Sequence, residues 1–198
     1  MKCDILISGV GGQGQVLASR LLGAAAIDGC FDVRTSETIG MSQRGGSVTS
    51  SVRIGGGVFS SAVPDGGADV ILGFEICETV RNLKKLSNDG GIVLNAQVIS
   101  PVSVSLGLAK YDSGKMTEYI KNKVKRLVTV DACALASAAG SVRAANVVML
   151  GAACGAGFLP FEKEKFLSVI RKNVPQKFKT LNEKAFLSGF EFAEGLRK

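Results

Sequence analysis

The feature that most constrains this chain is its opening stretch. A short apolar run, Cys3-Asp-Ile-Leu-Ile-Ser8, leads directly into Gly9-Val-Gly-Gly-Gln-Gly14. Gln15 to Asp28 follows, with Leu and Ala at helical spacing. Gly29 suits a helix stop, and Phe31 to Glu37 reads as a second strand. Strand, glycine loop, helix and strand make a βαβ unit, which commits the chain to a sheet with parallel strands and helices packed on it. Gly9, Gly11 and Gly14 satisfy G-x-G-x-x-G between strand and helix. In that setting glycine lets the backbone approach a phosphate, and the helix N-terminus attracts its charge. Glu37 falls near the end of the second strand, where a ribose-binding acid would stand. A tight turn that packs the first helix on the sheet, with no ligand, needs the same pattern, so both readings stay open here.

Further along, Thr38 to Gly46 is expected as a loop and Ser47 to Ile54 as a strand. Gly55-Gly56-Gly57 is expected as a turn returning through Val58 and Phe59, so a β-hairpin would interrupt the βα alternation. Asp69 to Gly73 and Gly91 to Asn95 read as strands around an amphipathic helix over Glu75–Leu86. Ala96 to Gly107 is ambiguous. Lys115 to Lys125 suits a short basic helix, and Leu127 to Val130 a strand ending at Asp131. Beyond it, residues 132–139, 143–156, 162–173 and 182–197 read as helices punctuated by Pro160 and Pro175. The expected class is α/β: a three-layer αβα Rossmann-like sandwich with a mainly parallel sheet, an inserted β-hairpin and a helical C-terminal section, in one domain spanning 1–198.

Composition then narrows the chemistry. The 198 residues include no His, which excludes His-based triads, His general bases and His metal ligands within the chain. Cys3, Cys30, Cys77, Cys133 and Cys154 are odd in number and scattered, with no C-x-x-C pair. That spacing argues against zinc ribbons and iron–sulfur ligation, and for reduced thiols in the core of a cytoplasmic protein, none of them singled out as reactive. Asp4 breaks the N-terminal apolar run, so no signal peptide is read there. The longest apolar stretch, Ala144 to Phe158, holds Asn146 and three glycines and is too short for a bilayer. Residues 1–99 carry eight basic and nine acidic side chains, and residues 100–198 carry sixteen and eight. A basic half could face nucleic acid, an acidic protein or an anionic cofactor. Few aromatics interleave its lysines, so a solvated surface is expected rather than nucleic-acid binding. Tyr111–Lys115 and Tyr119–Lys123 have the spacing of a dehydrogenase proton relay but no preceding Ser-bearing strand.

Four stretches together resemble a known family. They are Gly9-Val-Gly-Gly-Gln-Gly14; Gly40-Met-Ser-Gln-Arg-Gly-Gly-Ser-Val48 with Arg53 beyond it; Arg143-Ala-Ala-Asn-Val-Val-Met-Leu-Gly151; and Leu159-Pro-Phe161 followed by Asn182-x-x-Ala-Phe-x-x-Gly189. In this order they resemble the gamma-type subunit of 2-oxoacid:ferredoxin oxidoreductases. The Gly-Met-Ser-Gln-Arg-Gly-Gly form looks most like the beta subunit of indolepyruvate ferredoxin oxidoreductase. The resemblance covers nearly the whole chain and implies one gamma-type domain, inactive alone, in a complex that oxidatively decarboxylates 2-oxoacids to acyl-CoA and reduces ferredoxin. It implies that thiamine diphosphate, magnesium and iron–sulfur clusters sit on a large partner subunit, with CoA as co-substrate, since the chain lacks the motifs that hold them.

Both glycine-bearing loops follow strand C-termini in this reading, the edge where open α/β sheets host ligands. The expected cofactor-facing residues are therefore Gly9, Gly11, Gly12, Gln13 and Gly14 in the first loop and Arg44, Gly45, Gly46 and Ser47 in the second. Arg44 offers a planar donor fork for phosphate or carboxylate. A tie within its own domain or to the large subunit would use the same fork. Gly11 is expected to need a glycine-only backbone angle. Asn146 and Asn182 read as helix-packing and capping residues, and Met41 as interface filler. No catalytic residue and no metal ligand is assigned.

Overall fold

The computed structural model describes residues 2–40 and 45–197. Its described strands are β1 (Cys3–Val10), β2 (Val33–Ile39), β3 (Ser47–Ile54), β4 (Ala68–Gly73), β5 (Leu86–Asn95) and β6 (Arg126–Val130), in the order β2-β3-β1-β4-β5-β6. The helices are α1 (Gln15–Asp28), α2 (Ile76–Asn82), α3 (Val102–Ser105), α4 (Ser113–Lys123), α5 (Ala132–Ala139), α6 (Ala145–Gly155), α7 (Lys163–Asn173) and α8 (Lys179–Gly195). β1, β4, β5 and β6 pair in parallel, while β3 pairs antiparallel with both β1 and β2. Five of the six strands thus run one way, and β3 alone runs back.

Two cores make this three layers. On β1, Cys3, Ile5 and Ile7 join a cluster with α1, α5, α6, α7 and α8, whereas Leu6 joins Ile71, Ile92 and Leu94 against α2 and α4. A strand buried on both faces reads as a continuous apolar run, which is how Cys3–Ser8 looks in sequence. Phe166 stacks on Phe186 with ring centroids 5.5 Å apart and anchors the C-terminal helices to the first core. α6 and α8 cross in close contact because Gly151 and Gly189 present no side chain. A Cβ on Gly189 would lie 2.9 Å from the Val148 carbonyl carbon.

The expected hairpin through Val58 and Phe59 is corrected. The antiparallel insertion consists of β2 and β3, joined by residues 40–46, and Phe59 is 92% exposed. The reason lies in the ladder: Ile54 already pairs with Cys3 on one side and Val33 on the other, leaving no edge for a returning strand. β3 also separates β1 from β2, which a simple βαβ unit would have made neighbours. The expected helix over 75–86 ends earlier, at Asn82, and continues as one 3₁₀ turn, Leu83–Lys85. β5 consequently begins at Leu86, and the register shift between Ala68 and Val70 absorbs the mismatch with β4. The ambiguous stretch contains α3. The four C-terminal helices fall where their periodicity and the prolines indicate.

Of the five thiols, only Cys3 and Cys154 are core residues; Cys77 and Cys133 are half-buried and Cys30 is exposed. Cys30 follows the end of α1 in a turn with φ 57°, its N–H on the Ile27 carbonyl, so its side chain has no core to enter.

Candidate functional site

The C-terminal ends of the parallel strands gather the expected residues. β1 delivers Gly9 and Val10 to this edge, and Gly14 starts α1 from the left-handed region at φ 78°. Gly12 is also left-handed, at φ 98°. Gly11 is not among the positive-φ glycines, so the expected glycine-only angle belongs to its neighbours. At Gly14 the restriction is double, because a Cβ would also stand 2.6 Å from Asn146 Nδ2.

Gln13 spends both ends of its amide on the fold. Its Oε1 accepts from Val10 N (2.8 Å), and its Nε2 donates to the Phe74 carbonyl (2.8 Å) at the end of β4. Asn146, buried at the start of α6, donates to the Gly14 carbonyl at 3.1 Å. The packing role expected of it is therefore one that reaches the loop. Asn182 donates to the Phe178 carbonyl within its own helix start.

The second loop meets the first. Gly11 N donates to the Gly46 carbonyl at 2.9 Å, and Gly40 N donates to the Ser47 carbonyl at 2.8 Å, closing the loop at its base. Gly45 is left-handed at φ 70°. Ser47 donates its hydroxyl to Glu78 Oε2 at 2.6 Å. Arg44 and Met41 lie outside the described residues. The remaining site residues thus converge, with the side chains of Gln13 and Ser47 already holding partners.

Beside the glycine loop lies a cleft of about 210 Å³ lined by Gly12, Gln13, Phe74, Asn95, Gln97, Cys133, Arg143, Asn146 and Met149, among others. Asn95 Oδ1 accepts from Ala132 N at the start of α5. Cys133 donates to Gln97 Oε1 at 2.8 Å, and its thiol is pushed up by burial, partly offset by a hydrogen bond from Asn95. Arg143 is exposed at the rim and makes no ion pair among the described residues. The Arg143–Gly151 stretch carries the family resemblance, but nothing in the sequence places Arg143, Asn95 or Cys133 at the site. No spacing rule connects residues that meet only through the sheet order.

Two candidate dehydrogenase features come apart. Glu37 is exposed on β2 and pairs with Ser50 of β3, which in turn pairs with Ile7 of β1. It stands two strand spacings from β1, roughly 9–10 Å, and lines a depression against α1 instead. Tyr111 donates to Glu75, and burial pushes its phenol well up, while Lys115 pairs with Asp112. Tyr119 is exposed, with Lys123 beside its ring. In the basic half, Lys165 and Lys172 bind Asp28, and Arg171 binds Glu183, as expected of a solvated surface.

No group of three or more Cys, Asp or Glu side chains that could hold a metal occurs among the described residues. Their donor set does not fit an iron–sulfur cluster or a magnesium-bound diphosphate. No described helix is long and apolar enough to cross a membrane.

The model of the pyruvate ferredoxin/flavodoxin oxidoreductase family matches residues 4–192. The chain belongs to that family. Indolepyruvate oxidoreductase subunit IorB of Pyrococcus horikoshii is 43% identical over 196 residues, covering 96% of each chain. The subunit of the same name from Thermococcus kodakarensis is 41% identical, again over 96% of each chain. The crystal structure of a keto/oxoacid ferredoxin oxidoreductase gamma subunit from Geobacter sulfurreducens superposes with a TM-score of 0.70 at 26% identity, covering 98% of this chain and 99% of that one. A 2-oxoglutarate:ferredoxin oxidoreductase from Magnetococcus marinus shares the fold over 98% of this chain and 31% of its own, with TM-score 0.73 at 18% identity. The family member described here is a gamma-type subunit of a 2-oxoacid ferredoxin oxidoreductase, as the four sequence stretches indicate.

Proposed function

We propose that this chain is the non-cofactor-bearing subunit of an indolepyruvate, or more broadly aryl-pyruvate, ferredoxin oxidoreductase. The complex oxidatively decarboxylates its 2-oxoacid to the acyl-CoA and passes the electrons to ferredoxin. Thiamine diphosphate, magnesium and the iron–sulfur clusters belong to a large partner subunit, and CoA enters as co-substrate. Identity of about 40% along the full length to indolepyruvate oxidoreductase subunits supports this substrate class. Residues 1–198 act as one gamma-type domain, inactive alone. Free thiols throughout suit a reducing cytoplasm.

In this reading Gly9–Gly14 and Arg44–Ser47 wall the active-site cleft and the approach of CoA. The observation that carries it is the Gly11–Gly46 hydrogen bond, which joins the two loops into one surface at the sheet edge where α/β proteins take ligands. The start of α1 offers backbone N–H groups and positive dipole to a phosphate, and Arg44 offers a bidentate fork.

The test is co-expression with the large subunit. The complex should oxidise indolepyruvate with CoA and ferredoxin, and the pure chain should reduce no dye even with added thiamine diphosphate. Arg44→Ala should lower turnover on the order of 10- to 100-fold, the loss expected for a charge-assisted hydrogen bond. Arg44→Lys should rescue poorly, lacking the fork. Micromolar NADH binding by the isolated chain would favour a free-standing NAD(P)-dependent dehydrogenase instead. The intervening β3 argues against that alternative, because it keeps Glu37 away from the glycine loop.

A further inference from the structure

Glu78 is a buried carboxylate that the proposed chemistry does not use. It lies in the first turn of α2, 4% exposed. Burying a carboxylate is costly unless each oxygen finds a donor, and here each does. Oε2 accepts the Ser47 hydroxyl at 2.6 Å, and Oε1 accepts Arg81 Nη1 at 2.5 Å. Its backbone N–H is capped by Glu75 Oε2 at 2.9 Å. The glycine loop is fastened immediately before this helix, where the Phe74 carbonyl accepts from Gln13.

Ser47 is the residue at which this turn grips the second loop. Its carbonyl closes that loop on Gly40, and the preceding Gly46 carbonyl accepts from Gly11. Both of those ties are backbone bonds that use no side-chain group. The Ser47–Glu78 bond is the one that depends on side-chain identity, and it runs to the helix that begins just after Phe74, whose carbonyl holds the glycine loop through Gln13. We propose that Glu78 is a positioning residue: by accepting the Ser47 hydroxyl, it fixes the Gly45–Ser47 end of the second loop against Gly11 and so sets the width of the CoA approach. Ser47 then serves the site through Glu78, with its hydroxyl proton committed inward rather than to a ligand.

This rests on the reading that the two loops wall the CoA approach, so the experiment separates the two claims. The reconstituted complex with its large subunit is assayed for KM of CoA, for kcat and for thermal stability, with Ser47→Ala, Ser47→Thr, Glu78→Gln and Arg44→Ala in the small subunit. The expected result is a CoA KM raised on the order of 10-fold in Ser47→Ala, the size of a lost hydrogen bond to a charged group, with kcat changed less. Ser47→Thr, which keeps the hydroxyl, should restore KM. Glu78→Gln should fall between them, since its amide oxygen still accepts from Ser47 while the pairing with Arg81 weakens. A lowered melting temperature in Ser47→Ala with normal KM and kcat would make the bond merely structural and overturn the proposal, as would wild-type behaviour throughout. If Arg44→Ala raises the CoA KM while Ser47→Ala does not, the positioning role alone is wrong. If neither changes KM or kcat, the loops do not wall the CoA approach and both claims fall.

Discussion

At the N-terminal end of the sheet, Arg53 of β3 grips Asp4 of β1 with two bonds, 2.8 and 3.0 Å. The Asp4 side chain is fully buried and that of Arg53 is 11% exposed. The same guanidinium reaches the carbonyls of Ser60 and Ala62, and Asp69 accepts from Asp4 N. At the C-terminal end the buried Glu78 carboxylate pairs with Arg81, whose side chain is 64% exposed, so among the described residues no ion pair there has both partners out of water. The loops there are held by backbone bonds, by the amides of Gln13 and Asn146, and by Ser47 on Glu78, around left-handed Gly12, Gly14 and Gly45. One end locks both members of an ion pair away from water. The other keeps its backbone N–H groups and loop carbonyls near a cleft. The first pattern serves stability, and the second suits a surface that meets a ligand or partner.

Breaking the locked end should cost most. Arg53→Ala replaces the bidentate guanidinium on buried Asp4 with only the exposed Lys2 ammonium, 3.5 Å from Oδ2, and breaking a buried pair typically costs about 3–5 kcal/mol. For a chain of this size that lowers the melting temperature by roughly 6–20 °C, read by calorimetry on the isolated chain. Any complex that still assembles should turn over at the normal rate per folded subunit. A large loss of turnover with unchanged stability would erase the contrast between the ends.

The open end should respond the other way. Gly14→Ala forces a side chain into the left-handed region, at about 1–2 kcal/mol, and presses on Asn146. The melting temperature should fall by only a few degrees, whereas turnover of the complex should fall by more than stability alone explains. Equal stability losses for Gly14→Ala and Arg53→Ala would show that the glycine loop is as structural as the ion pair.

Much of this contrast was legible in the sequence, but unevenly. Asp4 sits within an apolar strand and Arg53 within a quoted motif, yet nothing in their spacing says that they meet. Their pairing depends on β3 inserting between β1 and β2, a non-local choice. For the same reason the glycines at Gly55–Gly57 suggest a hairpin there, whereas the antiparallel pair spans residues 40–46. The C-terminal helices are legible because periodicity and proline are local signals, although α8 begins at Lys179, ahead of the expected 182. At the sheet edge, glycine marks the backbone positions that the two loops bring together. The sequence suggests that Gln13 and Ser47 face a ligand, because it cannot show that Phe74 and Glu78 already occupy them.

A smaller effect follows from the thiols. Burial pushes Cys3 and Cys154 up to about 12. Each therefore keeps its proton in the folded chain while the unfolded chain loses it above about 9. Their contribution is complete below pH 9 and is lost as pH rises from 9 toward 12. Alkaline titration of the melting temperature should show that decline. Iodoacetamide at pH 8 should modify exposed Cys30 well before Cys3 or Cys154, and early labelling of Cys3 would mean that the ion-paired end opens readily.

The central claim is that the C-terminal edge of the sheet is the working face of this subunit. Amide hydrogen exchange, compared between the isolated chain and its complex with the large subunit, tests it most directly, because exchange reports protection segment by segment. Residues 9–14 and 40–47 should gain protection on assembly, while 55–63 at the opposite end exchange as before. Protection confined to 55–63, or to α7 and α8, with both glycine loops unchanged, would contradict the account.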